Sequence, residues 1–204
     1  MSPRPLKVTD EQLFAAAHAA MNKVGPKDLT LAAIAKEAGV TAAVLVQRFG
    51  SKRALLLALT EKFAEHAGEL IPALVAEHRS PLAGLRAYVD CMAGMAPSRA
   101  ALARSLAYLQ LDLTDPDFRH YLVKQARATR TGLTGLLQSA VDGRELTADA
   151  SPPRLARAIE AIVTGSMLSW AIYQEGTAAE WMRADVDMLL RPYLTRRRRP
   201  GGAR

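Results

Sequence analysis

The 204-residue chain has a single cysteine, Cys91, so no internal disulfide is possible, and no second Cys or neighbouring His completes a recognisable zinc site. This cysteine usage fits a reducing, cytoplasmic setting. The start, MSPRPLK, lacks the apolar run of a signal peptide. The longest late uncharged stretch, Ala161 to Gln174, is 14 residues, against about 20 needed to span a bilayer, so no membrane span is expected. Period-two alternation and hairpin turns such as Asn-Gly are also missing. There is no repeat of fixed period and no low-complexity segment apart from the C-terminal RRRRPGGAR, expected to be disordered. Enzyme motifs are absent too: no Gly-x-Ser-x-Gly elbow, no phosphate-cradling Gly loop and no two-His metal spacing on one turn. His18, His66, His78 and His120 fall in separate helical settings. Neither catalysis nor a metal or cofactor is expected.

What the chain does have is helical periodicity, enough apolar residues for a core, and charge placed unevenly. Half of its residues are hydrophobic and its formal net charge is +7. Residues 1–62 and the tail 196–204 are basic, whereas residues 63–195 carry a slight acidic excess. A polyanion-binding head on a neutral body would be charged this way, although a basic surface can also serve solubility alone.

The spacing predicts an all-α protein of about nine helices. Thr9 and Gln12 form a capping box opening a helix over 10–23, closed by Gly25-Pro26. Thr30 caps a second helix, Leu31 to Ala38, Thr41 caps a third that ends at Gly50, and Ser51 caps a fourth. Pro72 is expected to kink that fourth helix. Ser80-Pro81, Pro97-Ser98, Asp115-Pro116 and Ser151-Pro152-Pro153 open the next four, and Thr177 with Glu180 caps the ninth.

The second and third helices, joined at Gly39, have the layout of a helix-turn-helix, since the tight turn needs a residue tolerant of a left-handed backbone. Val40, Leu45 and Phe49 fall where they can pack inward, leaving Thr41, Ala42, Ala43, Val44, Val46, Gln47 and Arg48 outward. Small side chains let a helix enter a major groove. There Ala, Val and the Thr methyl can meet thymine methyls, Gln47 can bond an adenine edge, and Arg48 can bond guanine or phosphate. Lys52, at the first turn of the fourth helix, can hold a phosphate. The same spacing also fits an ordinary buried corner with Val44 and Val46 in the core.

The run LTLAAIAKEAGVTAAVLVQRFGSKRALLLAL resembles the DNA-binding head of the TetR family of bacterial transcription regulators, over about residues 9–60. A weaker similarity extends through TGSMLSWAIYQEGTAAEWMRADVDMLLRPYL to the last two helices of many members. The resemblance implies a three-helix DNA-binding head over 1–52 and a helical ligand-binding and dimerisation domain over 53–195, to which the composition adds a basic tail over 196–204. It implies that Thr30, Thr41, Val44, Gln47, Arg48 and Lys52 lie near DNA. Where the family commonly has Tyr and Lys, this chain has Val46 and Ala43, which removes polar contacts; Lys52, Lys27 or an arm with Arg4 and Lys7 would then compensate.

The expected partners are a palindromic double-stranded operator, a small-molecule effector and a second copy of the chain. A two-fold dimer places two heads about 34–36 Å apart, one helical turn of DNA. In the eighth helix Ile162, Gly165, Ser169 and Ile172 recur at helical spacing, and Trp181 and Leu189 follow in the ninth; these are the candidate dimer residues, with intramolecular core the competing reading. The resemblance also implies a mostly apolar ligand cavity, with Tyr88, Met92, Met95, Tyr108, Leu109, Ser166, Trp170 and Tyr173 as its candidate lining, although by spacing each is individually more ordinary as core. The rival to a DNA-binding regulator is a helical protein-interaction module that kept the head's shape and lost DNA binding.

Overall fold

The computed structural model describes residues 8–195. The expected tail, 196–204, and Arg4 and Lys7 lie outside the described residues. Within them are ten α-helices and a closing 3-10 turn, with no strand beyond an isolated antiparallel bridge between Leu146 and Leu194. The all-α expectation holds. The chain forms two compact units: one holds the described residues up to Glu65 together with Ser98–Lys124, and the other holds His66–Pro97 and the described residues from Gln125 onward. This division departs from the expected boundary at residue 52, because the fourth helix and a later helix pack with the first three.

In the first unit, α1 (Asp10–Lys23) starts with both halves of the Thr9/Gln12 capping box, and α2 (Leu31–Ala38) starts where Thr30 Oγ1 accepts the Ala33 N–H. Gly39 ends α2 at φ 66°, the left-handed turn that a β-carbon would strain. Then come α3 (Ala42–Phe49) and α4 (Lys52–His66), the latter begun by Ser51 Oγ accepting from Ala54 N–H. Leu13, Ile34, Leu45 and Leu55 are fully buried together, and Tyr108 and Phe118 join that cluster. Those two come from α7 (Arg99–Thr114), opened by Ser98, and from the start of α8 (Pro116–Asp142).

The second unit contains α5 (Leu70–Glu77), α6 (Pro81–Gly94), the rest of α8, α9 (Pro152–Tyr173) and α10 (Ala178–Leu190), followed by the 3-10 turn Arg191–Tyr193. Leu85, Val89, Leu133, Leu137, Ile159 and Met182 anchor its core. The expected Pro72 kink is replaced by a break. The α4 helix ends at His66, and Pro72 falls in the first turn of α5, where its missing N–H would have had no helical partner. By length and composition α9 could cross a membrane. It exceeds the 14-residue uncharged stretch because it also carries Arg154, Arg157 and Glu160, and its Leu155, Ala156, Ile159 and Val163 lie in the core.

Candidate nucleic-acid interface

Helix α3 has one fully buried residue, Leu45, and Val40, Ala42 and Phe49 pack partly against the same core. Phe49 meets Phe14 of α1 with ring centroids 5.7 Å apart. These contacts turn the opposite face outward. Val44 is 37% and Val46 48% exposed, and Thr41, Ala43, Gln47 and Arg48 are exposed as well. Ala42 departs from the expectation, since its register places it against the core. The corner reading with Val44 and Val46 buried does not describe this helix. Thr41 makes no side-chain capping bond, which leaves its hydroxyl uncommitted to the helix end.

The cations are disposed differently from the sequence expectation. Arg48 folds back on the start of α1: Nη1 donates to Val8 O at 3.0 Å, and Nε lies 2.5 Å from Asp10 Oδ1. Lys52 is half-buried, and its Nζ donates to Leu29 O at 2.7 Å and Pro26 O at 3.2 Å. An ammonium has three donors, so two fasten the loop between α1 and α2 and one remains. Tyr108 fastens the same loop from α7, its hydroxyl donating to Val24 O at 3.1 Å. The positions of α2 and α3 thus rest on side chains of α4 and α7. Lys27 and Lys36 are exposed and make no ion pair among the described residues.

Arg53 lies on α4 beside Lys52 but faces α8. Its Nε donates to Asp115 Oδ2 at 3.1 Å, its Nη2 donates to Asp115 Oδ1 at 2.8 Å and Asp117 Oδ2 at 2.7 Å, and its guanidinium lies 5.5 Å from the Phe118 ring centroid. The Arg53 hydrogen bonds hold the Asp115 carboxyl below its usual range. Nothing in the spacing of these residues marks this clasp. Asp112, half-buried on α7, has its carboxyl pushed up to about 6 by desolvation.

The eight candidate ligand residues do not gather in one unit. Tyr108 and Leu109 belong to the first; Tyr88, Met92, Met95, Ser166, Trp170 and Tyr173 belong to the second. In that second unit Tyr88 and Trp170 are buried in the core, and burial pushes the Tyr88 phenol up to about 12. Ser166 is also buried, but its Oγ is taken by Asp185 Oδ2 at 2.6 Å, and Trp170 Nε1 donates to Gly176 O at 3.1 Å. Met92 is partly buried against this core, whereas Met95 and Tyr173 are exposed.

The candidate dimer residues lie on a more open face. Ile172 is 73% exposed, Gly165 is exposed, and Ile162, Ser169, Trp181 and Leu189 are half-buried. A β-carbon at Gly165 would meet nothing within 4 Å. Packing inside the chain therefore does not require glycine there. Trp181 stacks on Tyr173 at 5.7 Å and donates its indole N–H to Glu175 O. Exposed Met188, absent from the sequence-derived set, extends the apolar surface of α10.

Comparison with known proteins bears on the whole arrangement. Residues 13–59 match the bacterial regulatory proteins of the tetR family, and residues 81–195 match the C-terminal region of BetI-type transcriptional repressors. No curated protein matches the chain. Among solved structures, a TetR transcription regulator from Haloarcula marismortui is 21% identical, with 91% of this chain and 98% of that one covered at a TM-score of 0.72. The reduced form of NemR from E. coli is 19% identical, covering 92% and 98%, at a TM-score of 0.73. FadR of Thermus thermophilus, a TetR-family repressor in complex with lauroyl-CoA, is 25% identical, covering 95% and 100%, at a TM-score of 0.58. The chain belongs to the TetR family of bacterial transcription regulators, with a DNA-binding N-terminal domain and a ligand-binding C-terminal domain of the BetI type.

Proposed function

We propose that this regulator is a cytoplasmic repressor that binds a palindromic operator as a homodimer and releases it on taking up a mostly apolar small molecule. The single observation that carries the DNA half of this reading is the outward face of α3, where Thr41, Ala43, Val44, Val46 and Gln47 stand exposed over buried Leu45. Such a surface suits a major groove: the valines and alanine meet thymine methyls and Gln47 bonds the adenine edge. With Arg48 held by Val8 and Asp10, apolar contact and Gln47 dominate base readout, and Thr30, Thr41 and the remaining Lys52 donor serve the phosphates.

The apolar face of α9 and α10 supports dimerisation. Ile162, Gly165, Ser169 and Ile172 with Trp181 and Leu189 offer a second copy a surface where Gly165 permits close helix approach. Effector and operator then favour different dimer conformations, each weakening the other by the same coupling, typically about 1–3 kcal/mol.

Selection of bound duplexes from a random pool by the purified protein tests this reading. Palindromic winners rich in A·T steps, bound with an affinity that falls steeply with salt, are expected. Failure to enrich any sequence, with no salt-dependent duplex binding, would overturn it in favour of a helical interaction module.

A further inference from the structure

Within the first unit, the loop between α1 and α2, the start of α4 and the end of α7 enclose a crevice of about 450 Å³. That volume lies in the range of small-molecule sites, about 300–1,000 Å³. Leu56, Ala107, Leu111 and Phe118 supply apolar wall, and Leu56 and Phe118 are themselves buried. Three cations also line it, Lys27, Lys52 and Arg53, against one acid, Asp115.

The charges do not cancel locally. Arg53 answers Asp115 through both carboxylate oxygens and reaches Asp117 besides. Lys52 Nζ is bonded only to the neutral carbonyls of Pro26 and Leu29, and Lys27 makes no ion pair among the described residues. Two positive charges without anions therefore border an apolar cleft. A small inorganic anion would leave the apolar wall unused, and an uncharged hydrocarbon would leave the ammonium groups unmatched.

We propose that this crevice is a binding site for a carboxylate with an apolar body, its head at Lys27 and Lys52 and its body against Leu56, Ala107, Leu111 and Phe118. It is a site in addition to the C-terminal ligand-binding domain. The site also has a route to the head. A carboxylate at Lys52 competes with Pro26 O and Leu29 O for the ammonium that fastens the loop before α2, and occupies the donor left for a DNA phosphate. This regulatory half rests on the DNA reading proposed above; the binding half does not.

Decanoate is the probe, with decan-1-ol as the same body without charge. In equilibrium dialysis on the full chain, decanoate binds saturably and about tenfold tighter than decan-1-ol, and Lys27→Ala cuts that preference to about threefold or less. Filling the cleft with Ala107→Phe removes one decanoate site per chain while circular dichroism stays unchanged. Equal affinity for the two probes, or unchanged binding in a folded Ala107→Phe protein, overturns the site. Should Ala107→Phe not fold, the Lys27→Ala preference decides alone, and an unaltered preference overturns the proposal. With a duplex that the protein selects, saturating decanoate weakens binding about tenfold; undiminished duplex affinity alongside crevice binding overturns the regulatory half only. Loss of all duplex binding without decanoate would overturn the DNA reading and leave the crevice standing.

Discussion

Lys52 is where side-chain chemistry and the helix-turn-helix geometry meet most closely. Its ammonium donates to two loop carbonyls, so replacing it with methionine removes both bonds and leaves Pro26 and Leu29 less well satisfied. Hydrogen bonds from a charged donor at a part-buried site predict a loss of about 1–3 kcal/mol for Lys52→Met, read in urea denaturation. Asp112 works in the opposite sense. Its folded pKa, about 6, lies above the ordinary value, so between pH 4 and roughly pH 6 the native state binds more protons and stability falls as pH rises. Asp112→Asn is expected to stabilise the protein by about 1–2 kcal/mol at pH 7.5, after discounting for partial exposure, and to flatten the pH dependence below 6. Equal melting curves for the two proteins at pH 7.5 would contradict this. The capping residues Thr9, Thr30 and Ser98 were legible because their function is local and repeats three residues on. The partners of Arg48 and Lys52 were not, because they lie 38 to 40 and 23 to 26 residues away.

At the scale of elements, the turn between α2 and α3 depends on one backbone conformation. A β-carbon at Gly39 would meet no neighbour, so any penalty there arises from φ 66° alone. Gly39→Val is expected to cost at least about 1 kcal/mol in denaturation and to weaken DNA binding beyond the loss of folded protein. The register of α3 could be read from the sequence because Leu45 must go inward, and a 3.6-residue period then fixes its neighbours. Ala42 escaped that reading, being small enough to suit either face. Pro72 escaped too, because a proline inside a helix and one in a first turn look alike without the break at 67–69. On α9 the face carrying Ile159, Val163, Ser166 and Trp170 is core, the ordinary fate of apolar residues at helical spacing.

At the scale of the whole molecule, the exposed apolar residues of α9 and α10 predict self-association. Ile172→Asp places a charge where 73% of an isoleucine now faces solvent. The variant is therefore expected to keep its fold yet shift sedimentation from dimer to monomer, and operator affinity should drop with it. A variant that sediments as the wild type would remove Ile172 from the interface. The two-unit division was the least legible feature: Ser98–Lys124 joins the first unit through contacts far apart in sequence, among them Tyr108 with Val24 and Arg53 with Asp115. Family similarity in the head was readable because Gly39, Phe49 and the Ser51-Lys52 start to α4 occur in a fixed order.

The most direct test is a titration of the selected operator with wild-type protein and with Val44→Asp, a substitution at an exposed position that leaves the core under α3 intact. In the proposed groove contact a carboxylate at this position would face thymine methyls and phosphates, which predicts at least a roughly hundredfold loss of affinity with unchanged circular dichroism. Undiminished binding by Val44→Asp would show that DNA does not meet this face of α3.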